Sequence, residues 1–189
     1  MLKKILFLFY CLFSLFFLIY LVVPGPDSIT DFSPLPTSLK SSLEGDTIQV
    51  PNVSAYFSDN FRNEAVKYYK DAYQKNTPFF FPPLRLNHPP EYAYTVIKDQ
   101  TESTYIEEYT YPFRDSLYVN GMEPVNEDGT PRFTGASKYK IDGVEYSTKV
   151  TLRYYPSNIV NRLMLWVGIN FSIIILYLTG RRLFANGQT

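Results

Sequence analysis

Two apolar runs, one at each end of the chain, constrain its fold more than anything between them. Ile5–Val23, ILFLFYCLFSLFFLIYLVV, holds 19 residues without a charge. That is close to the ~20 residues a helix needs to cross a ~30 Å hydrocarbon core. Lys3 and Lys4 precede it, and Pro24-Gly25-Pro26 stops it. The second run, Leu163–Thr179, extends back to Ile159 to give 21 residues, with Arg162 near its start and Arg181-Arg182 beyond its end. Trp166 and Tyr177 stand toward its two ends, where amphipathic rings favour the headgroup level. All 18 acidic residues lie between Asp27 and Glu145, and all 14 prolines between Pro24 and Pro156. The pattern predicts two transmembrane helices with a polar segment inserted between them.

A cleaved secretory signal is the alternative for the first run. Signal h-regions are shorter, about 7–15 residues, and end in small residues. This run is longer and no Ala-x-Ala follows it, so it reads as an uncleaved signal anchor. Lysines before the first span and arginines after the second place both termini in the cytoplasm by the positive-inside rule. Lys149, Arg153 and Arg162 weaken the local bias of the second span, but the first helix dominates orientation and a long loop translocates largely regardless of charge. Residues 24–158 are therefore expected outside. They carry 18 acidic and 13 basic residues, a net of −5, and no cysteine, since Cys11 in the first run is the only one. An exported domain that folds without disulfides points to a bacterial plasma membrane rather than a eukaryotic secretory route. The whole chain is formally neutral, so no nucleic-acid partner is expected.

The expected organisation is a first transmembrane helix over 1–23 and a Pro/Ser-rich tether over 24–54. An extracytoplasmic α+β domain over 55–156, a second transmembrane helix over 157–180 and a short cytoplasmic tail over 181–189 follow. Within the domain, Phe57, Phe61, Ala65, Tyr68, Tyr69, Ala72 and Tyr73 recur at helical spacing and predict a helix over 56–75. The run PPEYAYTVIKD, from Pro89, predicts a shorter second helix, because proline is tolerated in a first turn. An antiparallel β-meander is expected after these two helices. Its firmest piece is Lys138–Tyr155, where Asp142-Gly143 is a favoured two-residue hairpin turn. That turn pairs Ile141 with Val144, Lys140 with Glu145 and Tyr139 with Tyr146, and the apolar alternation demands the same register.

Motifs with specific chemistry are scarce. No Cys or His pair, HExxH, Walker A, GxGxxG or GxSxG is present, so no metal and no cofactor are expected. Ser137-Lys138-Tyr139-Lys140 has SxxK spacing but falls on an expected strand, where Ser and Lys are not one helical turn apart. Glycosidase-like chemistry needs two carboxylates about 5–9 Å apart. Glu107 and Glu108 alternate on a strand and face opposite sides, whereas Glu102 with Glu107, or Glu91 with Glu108, would need the fold to join them. The stretch FFFPPLRLNHPPEYAY, residues 79–94, contains the sole histidine, His88. Its proline pairs make it a stiff crossover between the two helices, with the phenylalanines pinning it to the core. Arg85 would pair with an acidic residue of the domain or meet an anionic partner. Arg85 and His88 together form a candidate contact surface. In the second span the mid-membrane amide of Asn170, flanked by Gly168 and Ser172, prefers a hydrogen-bonding partner. Ser14 or Tyr10 of the first span, or Asn170 of a second copy, would serve.

These features lead to an expected role as a membrane-anchored interaction or assembly protein of the cell envelope, without catalysis. Its partners would be the lipid bilayer and either another membrane or envelope protein or a second copy joined through the spans. A carboxylate-based envelope hydrolase and a subunit of a two-span oligomeric pore are the alternatives.

Overall fold

The computed structural model describes residues 2–44, 46, 51–92 and 103–186. The chain divides into two compact units, one made of Met1–Val23 with Ser157–Thr189, the other of Pro24–Pro156.

The terminal unit is a pair of helices, α1 (Leu2–Val22) and a C-terminal helix named α3 below (Ile159–Asn186). Both are long and apolar enough to cross a membrane, and almost none of either is buried inside the protein. Phe7, Phe9, Phe13 and Phe16 of the first, and Phe171, Ile174 and Leu176 of the second, are exposed. A helix that is apolar all round and has no protein to hide in suits a lipid environment.

The central unit is α+β. Its main sheet has six strands in the order β1-β2-β8-β5-β4-β3, every neighbouring pair antiparallel. The strands are β1 (Leu39–Lys40), β2 (Val53–Ser58), β3 (Leu84–His88), β4 (Tyr105–Thr110), β5 (Ser116–Met122) and β8 (Thr148–Tyr155). A separate hairpin joins β6 (Tyr139–Ile141) to β7 (Val144–Tyr146). Helix α2 (Arg62–Lys75) packs on one sheet face through Ala65, Val66, Tyr69 and Tyr73. That face carries Tyr105, Glu107, Tyr109, Leu117, Val119, Val150, Leu152 and Tyr154, all buried.

Four expectations change. The helix expected over 56–75 begins only at Arg62, and residues 53–58 form β2 between β1 and β8. Phe57 and Phe61 have helical spacing, but every residue of β2 is buried, which a strand inside a sheet explains and an amphipathic helix does not. Ser58-Asp59-Asn60 makes the turn, with the Ser58 hydroxyl accepting from the Asn60 amide at 3.2 Å. No side chain of the N-cap residue Phe61 satisfies the helix start; Glu123, at the far end of β5, reaches over instead and accepts from the Arg62 amide at 2.6 Å.

The segment expected as a tether is packed from Pro24 through residue 44. Ile29, Phe32 and Leu35 are buried, and the Phe32 ring lies 5.3 Å from that of Tyr154 and 6.0 Å from that of Tyr73. Asn76 Nδ2 donates to the Asp31 carbonyl, Tyr68 Oη to that of Pro34 and Asn60 Nδ2 to that of Pro36. Proline-rich composition suggested a spacer; three apolar side chains at 29, 32 and 35 instead dock it.

The FFFPPLRLNH stretch leaves α2 and enters the sheet. Phe79 and Phe81 stack on each other at 5.1 Å and both pack on Tyr111, at 4.9 and 5.8 Å, while Phe80 is 97 % exposed. Leu84–His88 then forms the edge strand β3, because residues before and between proline pairs favour extended backbone. Pro90–Tyr92 is a 3-10 turn, and the remainder of the expected helix over 89–99 lies outside the described residues.

The hairpin has the expected register, Ile141 with Val144, Lys140 with Glu145 and Tyr139 with Tyr146. Asp142 and Gly143 both take positive φ, 51° and 83°, as a type I′ turn requires. The second strand does not continue straight to Tyr155. It breaks at Ser147, whose amide donates to Asp59 Oδ1 at 2.9 Å. Tyr139 and Tyr146 then pack on Phe57, on the sheet face opposite Val150 and Leu152.

Gly121 stands directly across from Tyr105 in the sheet, and a Cβ there would sit 2.0 Å from the Tyr105 ring. The ring lies over the glycine in the space a side chain would need. Gly121→Ala is expected to cost about 2–3 kcal/mol by overpacking. The double variant with Tyr105→Ala should cost less than the two single changes added together. Denaturant titration of the full chain in detergent, followed by near-UV circular dichroism of the buried tyrosines, measures both.

Candidate functional site

The most organised polar cluster lies where α2 meets the edge of the sheet. On β4, Tyr105, Glu107 and Tyr109 point toward α2, so the alternation of the strand drives a carboxylate into the core. Glu107 is fully buried, and an ionised carboxylate there must be compensated. Its Oε1 accepts from Arg62 Nη2 at 2.7 Å, Arg62 Nε at 3.1 Å and Arg85 Nη2 at 2.7 Å. Its Oε2 takes Arg85 Nε at 2.7 Å and the Tyr109 hydroxyl at 2.7 Å. Arg85 is also braced by Asn87, whose Oδ1 accepts from Nε at 3.1 Å. Arg62 lies over the Tyr105 ring, its Cζ 5.2 Å from the centroid.

The electrostatics follow from this geometry. Burial pushes the Glu107 carboxyl up; hydrogen bonds from Arg85, Tyr109 and Arg62 outweigh burial and hold it below its usual value. Burial, then the hydrogen bond to Glu107, pushes the Tyr109 phenol well above its ordinary range. The Arg85 guanidinium is raised by its bond to Glu107. Glu107 stays ionised across the neutral range, which suits an electrostatic anchor and unsuits a general acid.

Above this cluster runs an open cleft of about 290 Å³. Arg62, Asn63, Val66, Lys67 and Lys70 of α2 form one wall, Pro82, Pro83 and Arg85 the other, and Tyr109 lies at its base. The residues of α2 share a face because they recur at i, i+4 and i+8 spacing.

The structure separates the two residues expected to share a contact surface. Arg85 faces α2 with Glu107 and Tyr109, whereas His88, of opposite parity on β3, faces the other side of the sheet. There His88 Nε2 lies 3.1 Å from Glu108 Oε2, and Ser116 Oγ donates to Glu108 Oε1 at 2.7 Å. Serine, carboxylate and imidazole are thus adjacent, but in an order that gives the hydroxyl proton to Glu108 rather than to His88. A nucleophile needs the reverse. The Tyr118 phenol beside them is pushed up by burial and by its bond to Glu108. Glu107 and Glu108 lie on opposite faces and do not converge into a glycosidase pair; Glu102 lies outside the described residues.

In the terminal unit, Asn170 of α3 sits against α1. Its Oδ1 accepts from Ser14 Oγ at 2.8 Å and from Tyr10 Oη, and its Nδ2 donates to the Trp166 carbonyl at 2.7 Å. Trp166 Nε1 in turn donates to the Ser14 carbonyl at 2.9 Å. Arg162 Nη1 donates to the Leu21 carbonyl at 3.0 Å, satisfying an orphan acceptor at the end of α1. Ser172 has no hydrogen bond to α1 among the described residues. An apolar space of about 580 Å³ between the helices, lined by Leu6, Phe7, Ile173 and Ile174 among others, is a lipid-like seam. No cluster of His, Cys, Asp and Glu able to hold a metal occurs among the described residues.

From sequence Glu107 was weighed only as one member of a carboxylate pair, although one signal pointed to its burial. A carboxylate flanked at i−2 and i+2 by tyrosines on a strand lies on the core face, and a buried carboxylate calls for cations. Lys67 and Lys70 read as part of a solvated helix face; only the fold brings Pro82-Pro83-Arg85 across from them.

Because the folded Glu107 carboxyl is held below its ordinary value of 4.5, it stabilises the fold above that pH. This contribution is lost as pH falls through the depressed folded value. Unfolding midpoints of the full chain between pH about 7 and about 3 should therefore drop more steeply for wild type than for Glu107→Gln. A cysteine pair at positions 14 and 170, in a Cys11→Ser background, should oxidise to an intrachain disulfide in membranes. Exclusively interchain bridging, read on non-reducing gels, would instead make the Asn170 partner a second copy.

No protein-family model, characterised protein or solved structure matches the chain.

Proposed function

We propose that the chain is a membrane-anchored interaction or assembly protein of a bacterial cell envelope, non-catalytic, with both termini in the cytoplasm and the Pro24–Pro156 domain outside. The observation that carries the reading is the polar seam of Asn170, Ser14, Tyr10 and Trp166 between two otherwise apolar helices. Polar bonds between helices in lipid are worth about 0.6 kcal/mol each on average, and up to about 1.7. They hold two spans in one register, as an uncleaved anchor paired with a second span would need. A signal peptide destined for removal has no use for such a seam.

Interaction is favoured over catalysis by how the domain uses its charges. Glu107 is held ionised by two arginines, and Glu108 accepts a hydrogen bond from the Ser116 hydroxyl. The cleft beside Glu107 offers cations and proline walls for contact. The net charge of −5 for residues 24–158 keeps the remainder of that domain acidic.

The test is labelling of intact cells with a membrane-impermeant thiol reagent, in a Cys11→Ser background. Lys140→Cys on the exposed hairpin should label, and Arg182→Cys should label only after lysis. The opposite pattern would overturn the placement. Gentle extraction from membranes should recover the chain in a complex of defined stoichiometry. Recovery only as a solitary monomer would sink the assembly role.

A further inference from the structure

We infer that the cleft between α2 and the Pro82-Pro83-Arg85 segment is a binding site for a linear, phosphate-bearing anion. The inference rests on the reading of the domain as an interaction module and names its ligand class.

Four cationic side chains line the cleft, Arg62, Lys67, Lys70 and Arg85, and among the described residues Glu107 is the one carboxylate bonded to any of these side chains. Lys67 and Lys70 form no ion pair among the described residues. Both arginines engage Glu107 through Nε and Nη2, which leaves Nη1 of each without an acceptor among the described residues. Burying one carboxylate beneath two guanidinium groups leaves a residual positive charge and fixes both groups in place. The guanidinium side chains remain 40 % and 48 % exposed, so they are ordered yet reachable. Most surface arginines lose rotamer freedom when they bind; these two have lost it already.

The ligand class follows from which donors are left. Glu107 takes the Nε–Nη2 side of each arginine, which leaves the outer Nη1–Nη2 edge turned to the cleft as a fork for the oxygens of an anion. What remains are two guanidinium edges and two ammonium groups arriving from different directions. Tetrahedral phosphate oxygens accept such a set, with lysine acting as a point charge. Length follows from the helix: residues 62 to 70 span about 12 Å at a rise of ~1.5 Å per residue. One phosphate cannot touch both ends, so a chain with several charged groups is required. Val66, Pro82 and Pro83 supply low-dielectric walls that concentrate the field in the cleft.

The test is calorimetric titration of the purified full chain, in uncharged detergent, with linear polyphosphate at two or more salt concentrations. Wild type should bind saturably. Lys67→Gln/Lys70→Gln should weaken binding at least tenfold and lower the slope of log K against log salt by roughly 1.4–1.8. Its unfolding midpoint should be unchanged, because neither lysine is paired. Lys138→Gln/Lys140→Gln, on the distant hairpin, should bind as wild type does. Absence of binding, or equal weakening by both double variants, would overturn the site. Equal affinity for oligogalacturonate would overturn the phosphate assignment, and binding confined to phosphatidylglycerol vesicles would replace it with a lipid surface. Titration of purified protein is indifferent to membrane sidedness. Polyphosphate binding by a chain whose hairpin is shielded in cells would refute the extracytoplasmic placement and leave the cleft standing; the reverse result would refute the cleft alone.

Discussion

A carboxylate with no water around it cannot stay charged without partners, and the central domain is arranged about that constraint at Glu107. Arg62 brings in the first turn of α2, Arg85 brings in the edge strand β3, and Tyr109 closes the remaining lone pair from the same strand. The two arginine bonds tie α2 and β3 to β4, and the Tyr109 bond lies within β4 itself. Beyond these bonds α2 is held by its apolar face, the Tyr73 hydroxyl and Glu123, and β3, with exposed Leu84 and Leu86, by its pairing to β4 and the His88–Glu108 contact. The charge that costs most to bury also makes the domain edge specific. The cleft is a by-product of the same arrangement, because the arginines that satisfy Glu107 are held where they also line the groove.

The rest of the core depends on tyrosine. Tyr69, Tyr73, Tyr109, Tyr111 and Tyr154 are among its largest buried side chains, in a segment with no cysteine to staple it. A buried phenol brings a large ring and a hydroxyl that can fasten a backbone carbonyl or carboxylate. Tyr73 donates to the Asp115 carbonyl, Tyr154 to the Asp115 carboxylate and the Pro26 carbonyl, and Tyr111 to the Phe81 carbonyl. Burial pushes the Tyr111 phenol up to about 12, so it stays a donor over the physiological range. These bonds gather chain ends and loops that strand pairing does not reach. Pro26 and Phe81 belong to segments whose proline content argues for looseness, and a tyrosine hydroxyl fastens each.

The terminal helices follow a different rule. Apolar side chains give two helices in lipid no preference for each other over lipid tails, so the few polar groups decide how they meet. Asn170, Ser14, Tyr10 and Trp166 bond in one patch, and Arg162 caps the end of α1.

Much was legible from short-range patterns. Nineteen uncharged apolar residues at one end and a second such run at the other can become little except apolar helices. The Asp142-Gly143 turn and the alternation around it settled a hairpin register, because a one-residue slip would turn every side chain over. The isolated amide of Asn170 announced a need for partners. Tertiary structure decided what local pattern leaves degenerate. Phe57 and Phe61 satisfy helical spacing, yet β2 forms there because β1 and β8 flank it, a pairing between residues nearly a hundred positions apart. Ile29, Phe32 and Leu35 are few enough to read as linker until the sheet offers them a surface. Arg85 and His88, three residues apart, were separated onto opposite faces by the period of a strand. Lys67 and Lys70 became half of a cleft only when two prolines and an arginine were folded across from them. Composition and periodicity act over a few residues and fix what each segment can be; which segments meet depends on burial and charge compensation summed over the whole fold.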